Sequence, residues 1–215
     1  MINDQLPKHR VNIKAHKEES KGFLKSKGKV VTFEYENGET KDMEVDYLHR
    51  NNYDAVCVLA YYKDGDDYRV YLRSCFRPPL ACRDYNDSVR PERDNVEMQW
   101  ELPAGLIERG ETVEQSGARE LEEEVGIAVD PKSMRMLRHR VFTSTGISGE
   151  RIFFVYVEVD PTTKGTPIED GSPMEKYGTT IAPTMFELNQ AIANGHIIDG
   201  KTVMGIEAFQ KLYGL

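Results

Sequence analysis

Gly105-Leu-Ile-Glu-Arg-Gly-Glu111-Thr-Val-Glu-Gln-Ser-Gly-Ala-Arg119-Glu120-Leu-Glu-Glu123-Glu124-Val-Gly126-Ile127 is the stretch that decides the reading of this chain. Thr112 is a good N-cap, and Gln115 three residues later can return a bond to the cap backbone, so a helix is predicted to begin just after Glu111. Gly126 suits the left-handed residue that ends it. Between these caps Val113, Gly117, Leu121 and Val125 recur every four residues, a narrow apolar stripe that can lie against a sheet. At about 100° per residue, Glu120 and Glu124 fall one turn apart on the same side, beside that stripe, where they can share one cation. Glu123 sits about 60° further round, near enough for a second ion, and four residues after Arg119, which can pair with it and fix its rotamer.

Carboxylates in this arrangement select hard cations with oxygen ligands, so Mg²⁺ or Mn²⁺ is the expected cofactor. A run of charges alone ordinarily makes a solvated helix face. That reading leaves Gly105, Glu111 and Gly126 unexplained at their offsets from the helix.

Working outward, 215 residues suffice for one large domain or for a domain with an appendage. The net charge is -8, from 36 acids against 28 bases, and no Lys/Arg cluster follows a helix face, so no nucleic-acid polymer partner is expected. Cys57, Cys75 and Cys82 show no metal spacing and read as reduced core residues. The N-terminus has no apolar h-region and no segment approaches 18 apolar residues, so neither export nor membrane insertion is expected and the cytoplasm is the compartment.

Lys29 to Tyr35 and Asp42 to Tyr47 flank Asn37-Gly38 and predict a β-hairpin with a tight turn. Ala55 to Tyr62 and Tyr68 to Phe76, joined through Gly65, predict a second, and Arg77-Pro-Pro ends its strand. Residues 83 to 97 are polar and read as a loop, followed by a short strand from Gln99 to Leu102. Met134 to Thr143 and Arg151 to Asp160 read as strands. Thr184 with Glu187 forms a second capping box, opening a helix that ends at Gly195, and a last helix spans about Lys201 to Tyr213. Strands, helix, strands, helix in that order suit an α/β fold with a mixed sheet and helices on its faces.

The pattern Gly, five residues, Glu, seven residues, Arg-Glu-aliphatic-any-Glu-Glu-any-Gly-aliphatic, filled at every defined position from Gly105 to Ile127, resembles the Nudix box. The resemblance implies an α-β-α sandwich with an N-terminal β-hairpin subdomain outside it, divided as an arm and hairpin over 1–48 and a Nudix domain over 49–215. It implies metal ligation by Glu120, Glu123 and Glu124 with the carbonyl of Ala104, and structural roles for Gly105, Glu111, Arg119 and Gly126. Gly105 would free the backbone for a turn at that carbonyl.

Phe76-Arg77-Pro78-Pro79, Glu101-Leu-Pro-Ala-Gly105, Ser144-Thr145-Gly146 with Glu150-Arg151, and Gly195-His-Ile-Ile-Asp-Gly-Lys-Thr look like the ADP-ribose and nucleotide-sugar pyrophosphatases of that family. This likeness implies a metal-dependent enzyme that cleaves ADP-ribose or a related nucleoside diphosphate sugar to nucleoside monophosphate and sugar phosphate. By the same likeness Arg77 contacts the pyrophosphate, Glu101 contacts substrate, and the chain forms a homodimer whose hairpin helps build the partner's nucleotide pocket. A general base is implied in the loop holding Glu169, Asp170 and Glu175, with Glu175 best placed when measured back from Gly195 and Glu169 in reserve. Thr145 stands where the ADP-ribose branch usually has Pro, and residues 83 to 97 form an insertion, so UDP-sugar and GDP-sugar hydrolases stay open. A catalytically silent nucleotide-sugar sensor is the alternative of another class; it would not need Glu120, Glu123 and Glu124.

Overall fold

The computed structural model describes residues 10–13, 17–18, 24–51, 53–81, 97–168 and 178–215. They form two compact units. One takes in the described residues up to Tyr53 together with Ser144–Glu150, and the other comprises Asp54–Thr143 and Arg151–Leu215.

The first unit is an antiparallel sheet in which β3 (Lys25–Glu34) pairs with β1 (Arg10–Ile13), β2 (Lys17–Glu18) and β4 (Thr40–His49). The predicted hairpin is present and longer than expected, in register from Lys25 opposite His49 to Glu34 opposite Thr40. Its turn is not a two-residue one. Tyr35 N–H donates to Glu39 O, Gly38 N–H to Tyr35 O, and Gly38 alone has positive φ, at 86°. Asn37 instead uses its side chain, accepting the Glu39 N–H at 3.0 Å, so the loop is a turn followed by a left-handed glycine, the form that suits a three-residue connection. The Ser144–Glu150 segment joins this unit through Leu48 N–H to Ile147 O at 2.7 Å and an Arg50–Glu150 ion pair.

The second unit holds β5 (Asp54–Asp64), β6 (Asp67–Val70), β7 (Leu72–Phe76), α1 (Pro78–Ala81), β8 (Met98–Glu101), β9 (Ala104–Leu106), α2 (Val113–Val125), β10 (Arg135–Phe142), β11 (Arg151–Glu158), β12 (Thr180–Ile181), α3 (Met185–Ala193) and α4 (Gly200–Tyr213). Its main sheet runs β10-β11-β5-β6, with β9 beside β6 on the same edge of β5. The β5–β11 pair is parallel and the others antiparallel, so the sheet is mixed, as expected. A smaller antiparallel sheet runs β12-β7-β8.

The run Tyr68 to Phe76, expected as one strand, is two. The chain leaves the β5 edge after Tyr71, whose N–H still donates to Ala60 O at 3.0 Å, and enters the smaller sheet at Leu72. Val70, Tyr71, Leu72 and Arg73 are all buried in succession, which a strand does when it passes between two packed layers and has no solvent face.

β5 explains the layering. Val56, Val58 and Ala60 point to one face and pack with Leu121, Val125, Ile127, Val155 and Val157 beneath α2. Ala55, Cys57, Leu59 and Tyr61 alternate to the other face and pack with Phe154, Leu188, Ile206 and Phe209 beneath α3 and α4. A strand buried on both faces reads as an unbroken apolar run, and the two clusters make the α-β-α arrangement. The stripe on α2 seats it: Leu121 and Val125 are fully buried, each contributing about 1.5–3 kcal/mol of burial, and Gly117 lets Val155 come to 3.1 Å of where a Cβ would stand. Among the described residues no helix is long and apolar enough to cross a membrane. Cys57 and Cys75 are free thiols, while Cys82 and residues 83–96 lie outside the described residues.

Candidate active site

The site is built where α2 meets β9. Thr112 accepts the Gln115 N–H while the Gln115 side chain accepts the Thr112 N–H, and Gly126 closes the helix at φ 81° with its N–H on Glu122 O. These caps fix which residues of the helix face the strand.

Alternation along the strand fixes the rest. Pro103 O accepts from Val58 N–H at 2.8 Å and Ile107 N–H donates to Asp54 O at 3.0 Å, so 103, 105 and 107 turn their backbone groups to β5. Residues 104 and 106 therefore turn theirs away from β5, toward α2. Ala104 N–H donates to Glu124 Oε2 at 2.9 Å, and Leu106 O accepts from Arg119 Nη2 at 3.0 Å. The Ala104 carbonyl shares the edge on which Glu124 lies. Gly105 has no positive φ; its role differs from the expected turn. A Cβ there would fall on the Glu120 carboxylate, so the missing side chain is the seat for Glu120, which is 8% exposed.

Arg119 ties the box together. Its guanidinium donates to Glu111 (Nε to Oε1, 3.1 Å; Nη2 to Oε2, 3.1 Å), to Glu120 Oε1 at 2.7 Å and to Glu123 Oε2 at 3.0 Å. Glu111 also accepts from Ser116 Oγ at 2.5 Å and from the Glu108 amide at 3.1 Å. The hydrogen bonds from Arg119, aided by those from Ser116 and Glu108, lower its carboxyl to about 2. Glu111 is thus the anchor that points Arg119 at Glu120 and Glu123.

Beside the box lies a second charged group. Arg77 makes a two-point pair with Glu101, Nε to Oε1 at 2.6 Å and Nη2 to Oε2, and Lys201 Nζ donates to the same Oε2. Burial works to raise the Glu101 carboxyl, but Arg77 and Lys201 outweigh it and hold it below the usual range. Arg73 stands opposite Glu101 in the β7–β8 register, is buried, and reaches within 3.6 Å of Glu124 Oε1, linking the two groups. The structure therefore brings Ala104, Gly105, Glu111, Arg119, Glu120, Glu123 and Glu124 together, with Arg77 and Glu101 paired to each other alongside. Glu169, Asp170 and Glu175 lie outside the described residues.

Sequence reasoning passed over Arg73, Asp199 and Lys201. Signals existed: an arginine inside the run Val70-Tyr-Leu-Arg73, and Asp199-Gly-Lys-Thr, where Asp is a natural helix cap followed directly by a cation.

Among the described residues no three His, Cys, Asp or Glu side chains already converge as a cage for a cation. In donor chemistry the site fits a hard divalent ion: Glu120 and Glu124 lie one turn apart along β9, the Ala104 carbonyl shares their edge, Glu123 stands next to them through Arg119, and every donor is oxygen.

The NUDIX domain family model matches residues 80–203, more than half of the chain. The chain belongs to the Nudix family. Over 154 residues this Nudix chain is 28% identical to the ADP-ribose pyrophosphatase of Saccharomyces cerevisiae, an alignment that covers 68% of the chain and 58% of that protein. It thus spans less than two thirds of that relative's length, and the likeness falls in the family's ADP-ribose pyrophosphatase branch. A crystal structure of an ADP compounds hydrolase superposes with a TM-score of 0.66, covering 94% of both chains at 15% identity, a likeness of fold.

Proposed function

We propose that this Nudix chain hydrolyses the pyrophosphate linkage of nucleoside diphosphate sugars, with ADP-ribose as the first candidate, giving nucleoside monophosphate and sugar phosphate with Mg²⁺ or Mn²⁺. The observation that carries this reading is the seating of Glu120 on Gly105 and of Glu124 on the Ala104 amide, which lines an oxygen-rich edge next to the Arg77–Glu101 pair. Glu120, Glu123, Glu124 and the Ala104 carbonyl would hold a divalent cation, whose positive charge would offset the charge developing on the phosphoryl oxygens. Arg119 keeps two of those carboxylates oriented. Arg77, half-exposed and braced from behind, has outward N–H donors of the forked kind that suits phosphate oxygens. A silent sensor would need none of these carboxylates.

Incubating the chain with Mg²⁺ and a panel of ADP-ribose, UDP-glucose, GDP-mannose, NADH and diadenosine polyphosphates, and separating the products, tests the reading. Release of AMP from ADP-ribose supports it. Release from UDP- or GDP-sugars alone moves the substrate within the class, and no product from any member sinks it.

Gly105→Ala is expected to leave the fold intact, because the added methyl meets the far end of a side chain and not backbone, yet to lower turnover about tenfold or more by unseating Glu120. Rate and urea midpoint measured together decide this; unchanged turnover would show that the seat is dispensable.

The proposed assembly is a homodimer to which the hairpin contributes. Val31 is buried in the first unit while Met43 is 47% exposed, and a hairpin of this kind is marginal without a surface to pack on. Deleting residues 1–48 is expected to give a monomer with a raised KM. A truncated protein that still sediments as a dimer with unchanged KM would refute it.

A further inference from the structure

Lys201 occupies a position that stability alone does not favour. It is the second residue of α4, whose N-cap is Asp199, so its ammonium lies at the positive end of the helix dipole, and its side chain is only 13% exposed. Both effects disfavour a cation, and an apolar side chain of the same length would fill the space without either. What the cation does there is bridge two acids. Nζ donates to Glu101 Oε2 and to Asp199 Oδ2, the latter at 2.9 Å. Asp199 Oδ2 also accepts from Thr202 N at 3.0 Å and Thr202 Oγ1 at 2.7 Å, and Thr202 Oγ1 accepts from the Leu102 amide at 2.9 Å. Leu102 follows Glu101. The bonds close a ring from Glu101 through Lys201, Asp199, Thr202 and Leu102 back to Glu101, fastening the N-terminus of α4 to the end of β8.

The ring has one consequence at the surface. Glu101 is 4% exposed and gives both oxygens to Arg77, while Arg77 is 39% exposed. The pair uses Nε and one Nη2 hydrogen, leaving Nη1 and the remaining Nη2 hydrogen. We propose that Lys201 is a positioning residue: by clamping Glu101 it holds the Arg77 guanidinium with its outer donors aimed at the pyrophosphate of the substrate. The inference rests on the proposed function for the substrate and goes beyond it in assigning Lys201. Without Lys201, Glu101 keeps Arg77 as a partner and Asp199 keeps Thr202, so the fold survives; the freedom of the Glu101 carboxylate, and with it of Arg77, increases.

The test uses the full chain and ADP as probe, with binding measured calorimetrically at fixed free Mg²⁺ for wild type, Arg77→Ala, Lys201→Met and the double variant. Hydrolysis of ADP-ribose is assayed separately and reports on the proposed function, so the failure of one reading is visible apart from the other. Lys201→Met is expected to weaken ADP binding about tenfold, to raise KM with kcat within about threefold, and to add less than about twofold once Arg77 is already Ala. A merely structural lysine would lower the melting temperature and weaken binding equally in both backgrounds. Additive losses, wild-type affinity in Lys201→Met, or no ADP binding by the wild type each overturn the proposal. If Lys201→Met does not fold, Lys201→Gln takes its place in the same cycle, and additivity with Arg77→Ala again decides against it.

Discussion

Replacing Glu124 by Gln is expected to leave the chain folded and to lower turnover at least about 100-fold. The amide keeps the length of the side chain and still offers an oxygen to the Ala104 N–H, the contact that seats residue 124 on β9. What it loses is the charge. A neutral amide is a poor ligand for Mg²⁺, which depends on ionised oxygen donors when it gives up water. Arg73, buried 3.6 Å away, also faces less negative charge, so a melting temperature lower by a few degrees is consistent with the role. Melting and rate belong in one experiment, at saturating Mg²⁺. Near wild-type turnover there would end the proposed role of Glu124; collapse of the fold would show that the residue holds the sandwich together instead.

The box was legible because its signals are local. Capping at Thr112 and Gly126, the apolar stripe through Leu121 and the pairing of Arg119 with Glu123 all act within a few residues, and a 3.6-residue period suffices to place them. The layering was legible in the order strands, helix, strands, helix, which suits a mixed sheet with helices on its faces, and the sandwich came with the Nudix resemblance. Where distant segments meet, the sequence ran out. Arg77 and Glu101 were each read as substrate contacts, yet they are 24 residues apart in sequence and bind each other, although the register of β7 on β8 sets Arg73 and not Arg77 opposite Glu101. Lys201 comes to Glu101 from a hundred residues downstream. Gly105 was assigned a turn because glycine usually signals backbone freedom, whereas here it signals empty space that a glutamate from the facing helix fills. The break at Tyr71 was hidden by composition, since an apolar run looks the same whether it stays in one sheet or crosses to another.

Glu175→Gln is expected to lower kcat by roughly 10²- to 10⁴-fold, the usual effect of removing a general base, with metal affinity and melting temperature little changed. The motive is a shortage of proton acceptors in the described site. Glu111 is lowered to about 2 by Arg119, and Glu101 is held low by Arg77 and Lys201 in spite of its burial. Glu120 and Glu123 accept from Arg119, and Glu124 accepts from the Ala104 amide beside Arg73. Glu111 and Glu101, held ionised by cations, are weak bases, and a carboxylate committed to a metal is not free to take a proton. The acceptor has to come from elsewhere, and the Nudix resemblance points to Glu169, Asp170 and Glu175. Glu175 comes first among them because, measured back from Gly195, it stands where the resemblance implies the base, with Glu169 in reserve. Single-turnover rates for Glu175→Gln and Glu169→Gln at several pH values assign the base. Loss in the first with activity in the second supports Glu175, the reverse moves the role to Glu169, and full activity in both removes this loop from the chemistry.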